Sequence, residues 1–163
     1  MCMNVYERQV RVEAPLSEVW KFHATGDGLV ALTPDWMNIR IEAERGPDGE
    51  PNPEELTAGS VVESSIKPFG VPPRQRWVSN IVAREESEDE AMFRDVMEKG
   101  PFPHWEHTHT FRALSDRETL VHDHVEFELP GGPLGQALGP FGCLGMEPMF
   151  RYRHQQTKEL LEG

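Results

Sequence analysis

The chain has 163 residues, of which 37% are hydrophobic. With a mean hydropathy of −0.56, this composition predicts one soluble domain over 1–163 that is long enough to bury a sizeable core. No apolar run approaches the roughly 18 residues that a membrane span needs. The 28 acidic and 16 basic residues give a net charge of −12, so we expect neither nucleic acid nor an anionic membrane as a partner, because both would repel the chain.

The cysteines and the first residues of the chain bear on its compartment. Cys2 and Cys143 stand far apart in the sequence, which argues against a disulfide framework. Residues 7–13 contain four charged side chains, and residues 1–13 lack the apolar core of a signal peptide, so we expect a reducing cytoplasm. Only four of the basic residues are lysines. An acidic, lysine-poor surface is typical of a high-salt cytoplasm, and an ordinary acidic protein is the alternative.

The first third of the chain begins with a strand and two short helices. Alternation of apolar and polar residues over 4–13 predicts a half-buried strand. Pro15 suits the first turn of a helix over 15–24, and a second short helix is predicted over 26–32. A strand over 36–45 follows, and the Pro-, Gly- and Glu-rich segment 46–59 predicts an exposed, mobile loop.

The rest of the chain predicts a meander of antiparallel hairpins closed by a helix. The expected strands, separated by turn signals, are 60–69, 74–85, 89–98, 104–114 and 118–129. Gly and Pro then crowd residues 130–142, and a helix with an apolar stripe is predicted over 144–162. Because the sheet cannot leave its apolar face in water, the helix should cover it, and such a wrapped sheet tends to enclose a cavity.

Several segments resemble the SRPBCC superfamily, which includes START lipid-binding domains and polyketide cyclase-like proteins. They are the opening YERQVRVEAPLSEVWKFHA, then GPFPHWEHTHTF at 100–111, ETLVHDHVEFELPGG at 118–132 and FRYRHQ at 150–155. The resemblance implies an α+β helix-grip fold, in which a curved antiparallel sheet of about seven strands wraps around a long C-terminal helix. It also implies an uncharacterised single-domain, ligand-binding branch. The loop 46–59 is longer and more acidic than this branch leads us to expect.

The register of two strands predicts a polar group inside the sheet. Trp105, His107, His109 and Phe111 alternate onto one face of 104–114, and Val121, Asp123 and Val125 share one face of 118–129. If both apolar faces point inward, the hairpin loop is odd, as in 115–117. That pairing sets Phe111 against Val121, His109 against Asp123, and His107 against Val125. His109 and Asp123 are therefore predicted neighbours, with His107 and Asp95 beside them.

These inward histidines and acids have three competing interpretations. They form a satisfied polar network that holds the strand register, or they orient the polar end of an otherwise apolar ligand. Alternatively, His107, His109 and Asp123 carry acid–base chemistry in a cyclase- or dehydratase-type enzyme. His-x-His with a carboxylate also suits a metal, but the acid partners explain the histidines without one, so we predict no metal and no cofactor.

The preferred function is binding of a small, largely apolar or amphipathic molecule, such as a lipid, an aromatic or a polyketide-like compound. The alternatives are the enzyme just described and a protein-interaction module without a ligand, and the oligomeric state stays open. Arg153, on the apolar stripe of the last helix, either extends to solvent or reaches the cavity to meet Asp95, Asp123 or an acidic ligand group. The predicted ligand-binding residues are Trp77, Phe93, Asp95, Trp105, His107, His109, Phe111, Asp123, Val125, Met149 and Arg153.

Overall fold

The computed structural model describes residues 3–163 and contains a single antiparallel sheet covered by helices on one face. The strands lie in the order β1-β7-β6-β5-β4-β3-β2, so all neighbours except β1 and β7 are joined by consecutive connections. The predicted α+β helix-grip fold is confirmed. In chain order the elements are β1 (Asn4–Val12), α1 (Leu16–His23), α2 (Gly26–Ala31), β2 (Arg40–Arg45), β3 (Val61–Ile66), β4 (Gln75–Glu86), β5 (Glu90–Lys99), β6 (His104–Ser115), β7 (Glu118–Glu128) and α3 (Pro133–Leu161).

The register of β6 against β7 follows the hydrophobic pattern. Phe111 pairs with Val121, His109 with Asp123, and His107 with Val125, so the predicted pairing is confirmed. A shift of one residue would have turned a whole apolar face to water, and burial of that face therefore selects a single register.

Two predicted strands are shorter than expected. The strand predicted over 36–45 begins only at Arg40, because Asp35–Met37 form a 3-10 turn and Asn38 follows with a φ of 50°. The strand predicted over 60–69 ends at Ile66, just before a second 3-10 turn that starts at Pro68. Proline has no N–H to donate to a strand ladder, which explains this second boundary.

The predicted helix 144–162 is wrong at its start, since α3 begins eleven residues earlier, at Pro133. Glycines in this first half face the sheet at helical spacing. A Cβ at Gly139 would lie 2.3 Å from the side chain of Asn4, and one at Gly142 would lie 2.6 Å from the ring of Phe127. The helix therefore lies so close to β1 and β7 that only glycine fits there.

The loop predicted to be exposed over 46–59 also needs a correction. Most of it is exposed, but Leu56 is buried and its backbone N–H donates a 3.0 Å hydrogen bond to the carbonyl of Ala24. Leu56 packs with Val62 and Ile81 in one of three core clusters. The loop thus supplies part of the protein interior.

The two remaining core clusters lie towards opposite ends of the same three strands, β1, β6 and β7. One contains Trp20 and Phe111, and the other contains Trp105, Phe127 and Phe150. None of the described helices is both long and apolar enough to cross a bilayer. The Sγ of Cys143 lies 3.4 Å from the carbonyl of Val5, whereas Cys2 lies outside the described residues, so the expectation of no disulfide stays a prediction.

Candidate functional site

A cavity of about 150 Å³ lies between the inner face of β3 to β6, the helix α2 and the C-terminal half of α3. Its walls are largely apolar and join two of the core clusters. Of the eleven predicted ligand-binding residues, those that line it are Trp77, Phe93, Asp95, Trp105, His107, His109, Met149 and Arg153.

The other three predicted residues lie behind the cavity wall. Phe111 and Val125 are completely buried in the core and are absent from the cavity lining. Asp123 is 2% exposed and faces the imidazoles of the wall. The alternation of a strand identifies its inward face, but it does not tell which inward residues meet a cavity and which meet other side chains.

Asp123 is the centre of what we call the histidine–aspartate cluster, which consists of Asp95, His107, His109, Asp123 and His154. Its Oδ1 lies 2.7 Å from Nε2 of His107 and 3.1 Å from Nδ1 of His109. Its Oδ2 lies 2.5 Å from Nε2 of His154. Burial disfavours the charge of this carboxylate, but hydrogen bonds from the three imidazoles hold its pKa well below the usual range.

His109 lies between two carboxylates. Its Nε2 is 3.1 Å from Oδ2 of Asp95, while its Nδ1 faces Asp123. A carboxylate can only accept, so both ring nitrogens must carry a proton. Burial opposes the resulting charge, but the hydrogen bonds to Asp123 and Asp95 outweigh it and raise the pKa of His109. The ring of Phe93 stacks on this imidazolium with centroids 4.0 Å apart.

His107 is held in the opposite protonation state. Burial, followed by the positive charge of His109, lowers the pKa of His107 to about 4. The neutral ring donates from Nε2 to Asp123, which leaves the lone pair on Nδ1. Among residues 3–163 no group hydrogen-bonds to this Nδ1, and His107 lines the cavity. The wall thus offers an oriented proton acceptor beside a proton donor.

Arg153 is a half-buried cation at the same wall. Burial lowers the pKa of its guanidinium, and the charges of Asp123 and Asp95 oppose that effect. Its guanidinium carbon lies 6.0 Å from the ring centre of Phe150. Within the described part of the chain the guanidinium donates no hydrogen bond and lies within 4 Å of no carboxylate. Arg153 thus lines the cavity but bonds to neither Asp95 nor Asp123, and its pairing with a ligand acid stays a prediction.

Two functional candidates were missed by the sequence analysis. His154 is buried and bonds to Asp123, and its Nδ1 has no partner among the described residues. The signal that would have found it is its spacing of four residues from Phe150 on the buried stripe of α3. His23 lines the cavity and its Nδ1 donates to the carbonyl of Val19 at 2.8 Å, while burial lowers its pKa to about 3.

A metal ion has one possible set of ligands here. Donor atoms of Asp95, His107 and His109 lie within 4.8 Å of one another. However, Nε2 of His107 already bonds to Asp123, and Nε2 of His109 bonds to Asp95. A metal would have to displace these bonds, so the absence of a metal stays our prediction.

Comparisons with known proteins come from both sequence and structure. The sequence model of the family described as polyketide cyclase / dehydrase and lipid transport matches residues 12–149. A search of curated proteins found no match to this chain.

The solved structures that resemble this fold do so at low sequence identity. A point mutant of norcoclaurine synthase from Thalictrum flavum, in complex with a transition state analogue, is 11% identical, with a TM-score of 0.69 and coverage of 98% of this chain and 94% of that chain. A START superfamily protein from Mycobacterium smegmatis is 14% identical, with a TM-score of 0.60 and coverage of 96% and 99%. At these identities the likeness shows the fold alone.

Proposed function

The chain belongs to the polyketide cyclase / dehydrase and lipid-transport family, and from this membership we propose that it binds a small, largely apolar molecule in the cavity between the sheet, α2 and α3. The single observation that carries the proposal is an apolar-walled cavity of about 150 Å³ beside a cluster of charged groups. Apolar walls supply affinity, and a few fixed polar groups supply orientation.

The size of the cavity supports a ligand over an empty core. Protein interiors contain few voids larger than a water molecule. The apolar walls around the space of about 150 Å³ therefore lack packing partners, and a ligand that fills the space would supply those contacts.

The volume also favours one of the ligand classes expected from sequence. An engineered apolar cavity of about 150 Å³ binds benzene, so the space here matches one aromatic ring better than a whole acyl chain. The wall has the corresponding chemistry, since Trp77 and Trp105 pack edge to face at 5.2 Å between their ring centres, and both line the cavity with Phe93 and Phe150.

Thermal unfolding in the presence of toluene or indole tests this proposal. Both compounds should raise the melting temperature, since a ligand at about 100 times its Kd stabilises by about 2.7 kcal/mol. Leu29→Trp places a large ring at a cavity-lining position and should abolish the shift. Val30→Trp is the matched control, because Val30 is the neighbouring, exposed position on α2. An absent shift in the wild type, or an equal shift in Leu29→Trp, would refute the proposal.

A second function, proton-transfer catalysis of the cyclase or dehydratase type, is favoured by one observation. His107 is neutral, oriented by Asp123 and free at Nδ1 on the cavity wall, which is how a general base is held. For an enzyme, His107→Gln should stop conversion of a cyclisable substrate while indole still binds. A third function, an interaction module with a collapsed interior, fits poorly with the open cavity.

A further inference from the structure

We propose that the ligand of this cavity is a single-ring aromatic carboxylic acid whose carboxylate pairs with Arg153. This inference deepens the proposed function and rests on it. It joins two observations that the proposed function does not use together, namely a cation without a hydrogen-bonded counterpart and a wall sized for one ring.

The first step concerns the unused donors of Arg153. A guanidinium has five N–H donors arranged in a planar fork that matches a carboxylate. Among residues 3–163 none of these donors meets an acceptor, although the side chain is half-buried at the cavity wall. A guanidinium that faces a cavity without a partner is free to bind an anion that enters it. A ligand carboxylate would supply the pair and two parallel hydrogen bonds.

The second step concerns the two acids near Arg153. Asp123 accepts hydrogen bonds from three imidazoles, and Asp95 accepts one from His109. Their charges attract the guanidinium without a direct bond. The carboxylates of the cluster are thus hydrogen-bonded to histidines, and the guanidinium of Arg153 remains available to bind another anion.

The third step concerns the rest of the ligand. The guanidinium carbon of Arg153 lies 6.0 Å from the ring centre of Phe150, and Trp77, Trp105 and Phe93 line the same cavity. A ligand whose carboxylate binds Arg153 would therefore have the rest of its structure among these aromatic rings. With about 150 Å³ of space, that group is one aromatic ring.

Isothermal titration calorimetry with benzoate and nitrobenzene tests this inference. The two compounds have nearly the same shape, and only benzoate carries a charge. We expect the wild type to bind benzoate at least about tenfold more tightly than nitrobenzene, as a charge-assisted hydrogen bond implies. Arg153→Met should remove that preference and keep the affinity for nitrobenzene. Arg151→Met is the matched control, since Arg151 is exposed on the same helix and bonds to Glu147.

The possible results separate this inference from the proposed function. If the wild type binds nitrobenzene as tightly as benzoate, the inference of a carboxylic acid is wrong, and the proposed binding of an apolar molecule is unaffected. If Arg153→Met binds benzoate like the wild type, Arg153 is not the group that holds the acid. If neither compound binds while toluene or indole still raises the melting temperature, this inference fails and the proposed function stands; if none of the four compounds binds, both fail. If Arg153→Met does not fold, the wild-type comparison still tests whether the ligand is an acid. Arg153→Lys then tests the role of Arg153, since it should weaken the preference for benzoate.

Discussion

His154 on α3 donates a hydrogen bond of 2.5 Å to the carboxylate of Asp123 on β7. Each residue is 2% exposed, so the bond joins the terminal helix to β7 inside the protein. The same carboxylate faces His107 and His109 of the cavity wall. Asp123 therefore couples the position of the helix to the geometry of the candidate site.

Replacement of Asp123 by Asn should destabilise the protein by about 3–5 kcal/mol, because it leaves the buried imidazolium of His109 with one acid partner and sets an amide N–H against an imidazole N–H. Urea denaturation gives the free energy of unfolding. Asp116→Asn, in the exposed turn between β6 and β7, is the control and should change it by less than about 0.5 kcal/mol. Equal effects of the two variants would contradict this role of Asp123.

Stability should fall on acidification between about pH 6.5 and pH 4. Burial lowers the pKa of His23 to about 3 and that of His107 to about 4, whereas histidines in the unfolded chain titrate near ~6.5. Between these pH values the unfolded state binds more protons than the folded state. The free energy of unfolding is therefore highest above about pH 6.5 and decreases as the pH falls. Each histidine contributes up to about 1.4 kcal/mol per pH unit.

The variant His23→Gln isolates one of these histidines. Its free energy of unfolding should fall less steeply with decreasing pH than that of the wild type, by up to about 1.4 kcal/mol per pH unit. His124→Gln is the control, because hydrogen bonds to Glu7 and Glu126 outweigh burial and raise the pKa of His124. A raised pKa gives stability that is complete below about pH 6.5, so this control should keep the wild-type slope.

His109 should remain doubly protonated at neutral pH while His107 is neutral. Both nitrogens of His109 face carboxylates, and its positive charge lowers the pKa of its neighbour, whose ring centre is 3.6 Å away. Nitrogen-15 chemical shifts of the histidine rings report these states directly. Asp95→Asn should lower the pKa of His109, whereas Asp89→Asn, in the exposed turn before β5, should not. A neutral His109 in the wild type at pH 7 would overturn this assignment.

Tyr6→Phe should cost about 1–2 kcal/mol of stability. The Tyr6 hydroxyl donates to Glu147 at 2.5 Å and so joins β1 to α3, and the ring packs on Phe150 with centroids 5.1 Å apart. Phenylalanine keeps the ring and removes only the hydroxyl. Chemical denaturation measures the loss, with Tyr152→Phe as the control on α3. If both variants unfold at the same urea concentration, the Tyr6–Glu147 bond does not stabilise the fold.

The sequence by itself determined the strand pattern and the pairing of His109 with Asp123. Each of these follows from a local rule, since side chains alternate along a strand and only one register buries both apolar faces of β6 and β7. The resemblance carried by 100–111 and 118–132 then named a superfamily whose fold the structure confirms.

Only the tertiary structure decided the start of α3, the partner of His154 and the residues that meet the cavity. Glycine and proline over 130–142 favour a loop locally, yet close contact with Asn4 and Phe127 makes glycine the residue that a helix needs there. Asp123 and His154 stand 31 residues apart on elements with different periodicities, and Phe111 shares a strand face with His109 without reaching the cavity. The physical reason is the same each time: a local pattern gives the direction of a side chain, and the packing of distant elements determines what it meets.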